Sequence, residues 1–494
     1  MDRMALERVA PESVGVSSRM LLEMVRQLEQ CGTEMHGIMV ARHGKVILEG
    51  WWAPYSPQTI HICHSFGKSY VATAVGAACT DGLLSVEDRV ADLFAEDMRR
   101  LGVADEGKLS RLKVKHVLSM TNGMGRCPLA GEKLVDNYLT TPIEEEPGSV
   151  FLYNTAGSCM LGEMVRRVTG ESVYDYMVRR VLRPIGFDLE HFRWMTFPGG
   201  LHAAPGVASC TENNLRLGML YLNRGAWQGK QLIDPEWIDQ ATRSQADNGA
   251  SGYGYQLWIN SVPGTYRFSG GHGQDCLMSP DRDMVVAIHQ AGSEPHDTDA
   301  VTAIVNRMLL ENPLPETLPP DSEGVQALAE HMRTRKVAPA GSRAIHSFAN
   351  GWEGRYNTVE GRFHLQPELR PAGEINVNAD FYTDSNPDVR TMVIERAEEG
   401  FCLTLNDSLR IQARLDGEWR PHMAQSAMPA YDQSCAVARA DENELIVEQW
   451  FYQTCFKTRL RMTRDGDLLH IEARKERLHD DWPYFTLRAV MKKA

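Results

Sequence analysis

A hydroxyl and an amine stand three residues apart in Ser65-Phe66-Gly67-Lys68, and they are followed by Tyr70, Val71, Ala72, Ala74, Val75, Ala77 and Ala78 before the run breaks at Asp81-Gly82. The spacing of those apolar residues predicts a helix, and the breaker residues predict its end. On a helix, side chains at i and i+3 share a face about 5–6 Å apart at Cβ, so the Lys68 amine can reach the Ser65 hydroxyl. A lysine set in an apolar wall is driven toward its neutral form and can then accept a proton. A serine at a helix start also meets unpaired N–H groups that favour developing negative charge. The chemistry this permits is nucleophilic acyl transfer. Alone the tetrad is weak, because a surface lysine after an N-capping serine has the same pattern. The small, apolar helix that follows favours a central, packed position instead.

The elements that must position this pair are readable around it. Residues 37–41 and 46–50, joined by Arg42-His43-Gly44-Lys45, read as a hairpin ahead of the Ser65 helix. Helices are expected near 114–120, 156–169, 173–182 and 213–223, and strands at 253–259, 265–268 and 284–289. Strands from both ends with helices between them predict one α/β (α+β) domain built on an antiparallel sheet with a helical subdomain. Asn312-Pro313-Leu314-Pro315 and Pro319-Pro320-Asp321 mark a linker, followed by a short helix over 325–335. From about residue 343 the texture alternates: 354–365, 374–382, 401–415 and a hairpin turning at Asp465-Gly466 predict an all-β accessory domain, a small, lipocalin-like barrel. The expected division is 1–312, 313–342 and 343–494. Trp450, Phe451 and Tyr452 in succession put aromatic surface on both faces of a strand. One face can fill the barrel; the other calls for cover, so the β domain is expected to dock near the active-site mouth or on a partner subunit.

At 494 residues the chain is too long for one ordinary core, and 43% hydrophobic with 24% charged residues reads as soluble and globular. A formal charge of −13 with no basic run argues against nucleic acid and against an anionic membrane. The first residues carry Asp2, Glu7 and Glu12 and no apolar leader, which gives a cytoplasmic expectation. Ten cysteines without a C-x-x-C pair predict reduced thiols rather than disulfides. His61 and His64 lack a further ligand cluster nearby, so no metal is expected, and no cofactor motif is present: neither a G-x-x-x-x-G-K phosphate loop nor a G-x-S-x-G elbow occurs.

Three blocks carry a resemblance. His64-Ser65-Phe66-Gly67-Lys68-Ser69 with Asp81 to Asp88 and Val117-Leu118-Ser119-Met120-Thr121-Asn122-Gly123 form the first. Glu146-Pro147-Gly148-Ser149-Val150-Phe151-Leu152-Tyr153-Asn154-Thr155 with Leu161-Gly162 and Thr169-Gly170 form the second, and Leu217 to Gly225 with Trp227 to Lys230 form the third. In this order, over roughly residues 10–312, they resemble the serine β-lactamase-related superfamily, in particular class C β-lactamases, family VIII esterases and nylon-oligomer hydrolases. The resemblance implies Tyr153 as the third catalytic residue beside Ser65 and Lys68. It also places Phe268-Ser269-Gly270-Gly271-His272-Gly273-Gln274 in the region of the family's third motif, which makes Phe268, Ser269, Gly270 and His272, together with Thr155 of the tyrosine motif, oxyanion or substrate-binding candidates.

Two departures bear on substrate. The family's Tyr-x-Asn is Tyr153-Asn154-Thr155 here, so Thr155 replaces an amide, and the Lys-Thr-Gly strand has no clean copy, with Arg267 and His272 as the available substitutes for its lysine. The expected activity is hydrolysis of a small-molecule ester or amide through an acyl-enzyme on Ser65. The alternatives are an acyltransferase using the same three residues, a β-lactamase or D-amino-acid peptidase, and a non-catalytic binding protein on the same scaffold. A homo-oligomer is left open.

Overall fold

The computed structural model describes residues 5–125, 133–197, 199–292, 296–337, 351–365, 388–398, 400–414, 419–422, 433–440, 442–451, 453, 456–476 and 486–494. A six-stranded antiparallel sheet forms the centre of the first part of the chain, in the spatial order Lys45–Trp51, Glu34–Arg42, Met284–Ala291, Gln274–Ser279, Tyr266–Gly270, Trp258–Ile259. The expected hairpin is its outer pair, and the late strand Met284–Ala291 closes on the early one with Ile38 opposite Ile288. Both middle strands are buried almost without interruption, because helices cover both faces. On one face Ile38, Val40, Val286 and Ile288 pack with Leu21, Val25, Val301, Leu328 and Met332 from the helices Ser18–Gln30, His296–Val305 and Ser322–Arg333. On the other, Met39, Phe268, Cys276 and Ala287 pack with Gly67–Thr80, Thr155–Thr169 and Thr211–Leu222.

Small residues let the Gly67–Thr80 helix run through this second layer. A Cβ on Gly67 would lie 2.1 Å from the Ala204 carbonyl oxygen, and one on Gly76 would lie 2.8 Å from the Trp237 ring. Every residue from Gly67 to Ala78 is buried. A three-stranded sheet, ordered His61–Ile62, His202–Ser209, Phe192–Thr196, leads the chain into Ser65.

The C-terminal part is a ten-stranded antiparallel sheet that runs from Leu409–Arg414 at one edge to Arg420–His422 at the other. It curls until Leu409–Arg414 approaches Gln433–Ala440, giving a nearly closed barrel. Side chains fill its interior: Trp352, Tyr356, Phe401, Leu403, Leu460, Met462, Ile471 and Met491 form one cluster. On the strand Glu444–Phe451, Leu445 and Val447 join that cluster, whereas Trp450, on the opposite face by strand alternation, is buried with Trp52, Tyr55, Val337 and Trp419 against the first part of the chain. For Trp450 the cover is thus the chain's own first part. Tyr452 and the segment 374–382 lie outside the described residues.

Some elements differ from the sequence reading. Of the expected strand 253–259 only Trp258–Ile259 joins the sheet, with Tyr253 making isolated bridges to Ala246 and Trp258, since Gln256 adopts φ 57° and turns the chain back. The strands Gln274–Ser279 and His202–Ser209 carry no alternation, being buried on both faces or broken by glycine and proline, and sequence pattern missed them; the short strand Phe192–Thr196, which does alternate in burial, went unread as well. The helix expected over 325–335 starts earlier, at Ser322, where the Asp321 carboxylate caps the Gly324 N–H at 2.8 Å.

Candidate active site

Ser65 sits in a tight turn, His64–Phe66, between the strand His61–Ile62 and the Gly67–Thr80 helix. His64 enters this turn at φ 49°, a left-handed conformation that non-glycine residues seldom adopt. Lys68 is 1% exposed, and its Nζ donates to Ser65 Oγ at 2.8 Å. The same Nζ lies 4.8 Å from the centre of the Tyr153 ring. Tyr153, far away in sequence, therefore meets the local pair Ser65 and Lys68 at one place.

Tyr153 is held from behind by rings. Trp258 stacks on it at 5.9 Å and 24°, while Tyr253 and Phe151 approach at 6.5 Å. Burial, with Tyr153 adjacent, pushes the Tyr253 phenol well above its usual range, so Tyr253 stays protonated. The next residue, Asn154, caps the Thr155–Thr169 helix by accepting from the Gly157 N–H at 2.8 Å, and its amide donates to the Met124 carbonyl at 3.2 Å. Thr155, the first residue of that helix, is buried.

The strand Tyr266–Gly270 forms the opposing wall. Phe268 points its ring into the core, 5.4 Å from Phe66 and 4.8 Å from Tyr221, so only its backbone is available to a substrate. Gly270, two residues on and on the same face, abuts the turn that carries Ser65: a Cβ there would lie 2.0 Å from the Cys63 carbonyl oxygen and 2.9 Å from the Phe66 nitrogen. Alternation puts Ser269 and Arg267 on the other face, where Arg267 donates to Thr302 Oγ1 at 2.8 Å and lies 4.0 Å from Asp275. That guanidinium is turned away from Ser65. His272 follows at φ 61°, with Nδ1 3.1 Å from the Gly292 carbonyl and its ring 5.3 Å from His64. Burial, together with His272 and Lys68, holds His64 well below the usual histidine range, so it is neutral near pH 7. Among the described residues no group of three or more His, Cys, Asp or Glu is arranged to hold a metal ion.

Sequence reasoning overlooked Gln256. Its side chain donates to the carbonyls of Val117 and Leu118 at 3.1 and 2.9 Å and accepts from Ser158 at 2.6 Å, while its own carbonyl accepts from Ser69 at 2.7 Å. This one buried residue thereby ties the Val117–Leu118 segment and the helix that follows Tyr153 through its side chain, and the helix that bears Lys68 through its backbone carbonyl. No local signal marks it, apart from the glycine and aromatic residues that surround it.

No helix among the described residues is long and apolar enough to cross a membrane. The 6-aminohexanoate-dimer hydrolase of Paenarthrobacter ureafaciens is 24% identical over 301 residues, which span 54% of this chain and 74% of that protein. The solved structure of SurE with D-Leu superposes with a TM-score of 0.50 at 15% identity, over 97% of this chain and 99% of that one, so the fold is shared across both the sheet-and-helix part and the barrel. A family VIII carboxylesterase gives a TM-score of 0.49 at 15% identity, covering 62% of this chain and all of the other, 100%. The Beta-lactamase family model matches residues 25–307, more than half of the sequence, and with the sheet, the central helix and the Ser65 turn in place, this chain belongs to the Beta-lactamase family.

Proposed function

We propose that the chain is a serine hydrolase that forms an acyl-enzyme on Ser65 and cleaves an ester or amide of a small molecule. The observation that carries this reading is the 2.8 Å contact between the buried Lys68 amine and the Ser65 hydroxyl beneath the Tyr153 ring. Ser65 Oγ attacks the substrate carbonyl carbon, and its proton passes to Lys68 or Tyr153. The C–O or C–N bond then breaks, and Tyr153 returns a proton to the leaving alcohol or amine. Negative charge on the carbonyl oxygen is met by backbone N–H groups of Ser65 and of the strand end at Gly270, which the missing Cβ allows to approach. Water attacks the acyl-enzyme in the second half and releases the acid. The rings of Phe151, Tyr153 and Trp258 favour a substrate with an apolar group beside the scissile bond.

Ester or small-amide turnover is expected to exceed β-lactam turnover, because Thr155 replaces an amide and Arg267 faces the other side of the sheet. The test is a screen of short p-nitrophenyl esters, D-amino-acid amides and nitrocefin, with fluorophosphonate labelling of Ser65. Ser65→Ala should abolish turnover and labelling. Lys68→Met and Tyr153→Phe should each slow acylation by about two to four orders of magnitude. Turnover that survives Ser65→Ala would overturn the assignment, and products that change on addition of an alcohol or amine would redirect it to acyl transfer.

A further inference from the structure

The segment that carries Ser65 is gripped from the β domain. One edge of the strand His61–Ile62 pairs with His202–Ser209, and the Cys63 N–H continues the pairing to the Val207 carbonyl at 2.8 Å. At its other edge the Ile62 N–H donates to the Gln453 carbonyl at 2.7 Å. From His61 a row of side chains leads back to the same region of the barrel. His61 Nδ1 is 2.9 Å from the Ile62 carbonyl, and its Nε2 is 2.9 Å from His36 Nδ1. His36 Nε2 is 3.1 Å from Glu34 Oε1, and Glu34 Oε2 accepts from Lys457 Nζ at 2.5 Å. His36 and His61 are 0% and 1% exposed, and Lys457 is 5% exposed. Trp450 and Tyr55 close over the row: the His36 ring stacks on Tyr55 at 4.1 Å, and Lys457 Nζ lies 4.2 Å from the Trp450 ring.

The direction of donation along this row is set by its ends. A carbonyl only accepts, so His61 carries its proton on Nδ1, its Nε2 accepts, and His36 donates from Nδ1. One proton then lies between His36 Nε2 and the Glu34 carboxyl, and the Lys457 ammonium beside Glu34 favours the carboxylate with an imidazolium at His36. Burial, with His289 and His36 nearby, holds His61 well below the usual histidine range, in keeping with its neutral place in the row. The result is a buried charge row, Lys457⁺, Glu34⁻ and His36⁺, which orients His61 four residues before Ser65. We propose that Lys457 is a positioning residue for Ser65, acting from the β domain through Glu34, His36 and His61. The inference rests on the reading of Ser65 as the nucleophile. Without Lys457 the carboxylate loses the cation that fixes it, and the His36 and His61 rings lose their single orientation. A displacement near 1 Å at the reacting atom can slow a reaction by about a hundredfold.

The test uses the full chain, below its melting temperature, with fluorophosphonate as probe and p-nitrophenyl acetate as substrate. Lys457→Met should lower the rate of labelling at Ser65 by about tenfold or more, with kcat falling and KM nearly unchanged. Lys457→Arg, which keeps the charge, should restore most of that rate; a purely structural contact would lower the thermal midpoint without this split. If Lys457→Met does not fold, Glu34→Gln keeps the volume, removes the same charge tie and is read in the same way. Labelling at Ser65 at the wild-type rate in a folded Lys457→Met or Glu34→Gln would overturn the inference alone. Labelling of the wild-type chain at another residue would overturn the nucleophile reading, and this inference with it.

Discussion

Replacing Gly270 by alanine tests the geometry of the proposed oxyanion pocket without touching Ser65, Lys68 or Tyr153. The added methyl carbon would stand 2.0 Å from the Cys63 carbonyl oxygen and 2.9 Å from the Phe66 nitrogen. Both are backbone atoms of the segment that carries Ser65, so no side chain can swing aside to relieve the overlap. Cβ contacts below 3.0 Å are essentially never found, and reaching even that limit requires the strand Tyr266–Gly270 and the Ser65 turn to part by about 1 Å. A shift of that size between nucleophile and oxyanion donors corresponds to about a hundredfold loss in rate. The accompanying overpacking costs about 1–3 kcal/mol of stability, which a buried two-faced core can bear. The assay is the second-order rate of fluorophosphonate labelling of Ser65 in Gly270→Ala, set beside kcat/KM for the best ester of the screen and a urea melt. A folded variant labelled as fast as wild type would refute the reasoning, because the strand end would then have no part in holding the reacting carbonyl.

Gln256→Ala removes two donors and one acceptor from a buried junction, and each polar group left without its partner costs about 1–3 kcal/mol; urea unfolding should show the loss, and an unchanged midpoint would mean that the three segments hold one another without it. Buried His61, His64 and His289 are all held below their usual value by desolvation, His289 at about 3, so the stability they contribute is present above about pH 6.5 and is lost as pH falls through the range down to about 3. The urea midpoint should therefore fall between about pH 7 and about pH 5, and His289→Gln should flatten that fall; a midpoint that rises on acidification would show that these rings are not neutral in the folded chain.

Ser65 and Lys68 could be paired from the sequence because their relation is local: three residues apart on a chain whose apolar period is helical, they share a face wherever that helix is placed. The hairpin around Gly44 was legible from two short apolar runs on either side of a glycine turn at positive φ, and the barrel hairpin around Gly466 from alternation on either side of its turn; both signals are local. The strands Gln274–Ser279 and His202–Ser209 were not, because a strand covered on both faces has no alternation to read. What faces what is a property of packing. Tyr153 comes over Lys68, Gly270 presses on Cys63, and Glu34 meets Lys457 across 423 positions only when the sheet, the helices and the barrel have closed on one another. Periodicity tells which face of an element is buried, but the partner of that face is chosen by volume and by the need of each buried polar group for its counterpart, and those are satisfied only in three dimensions.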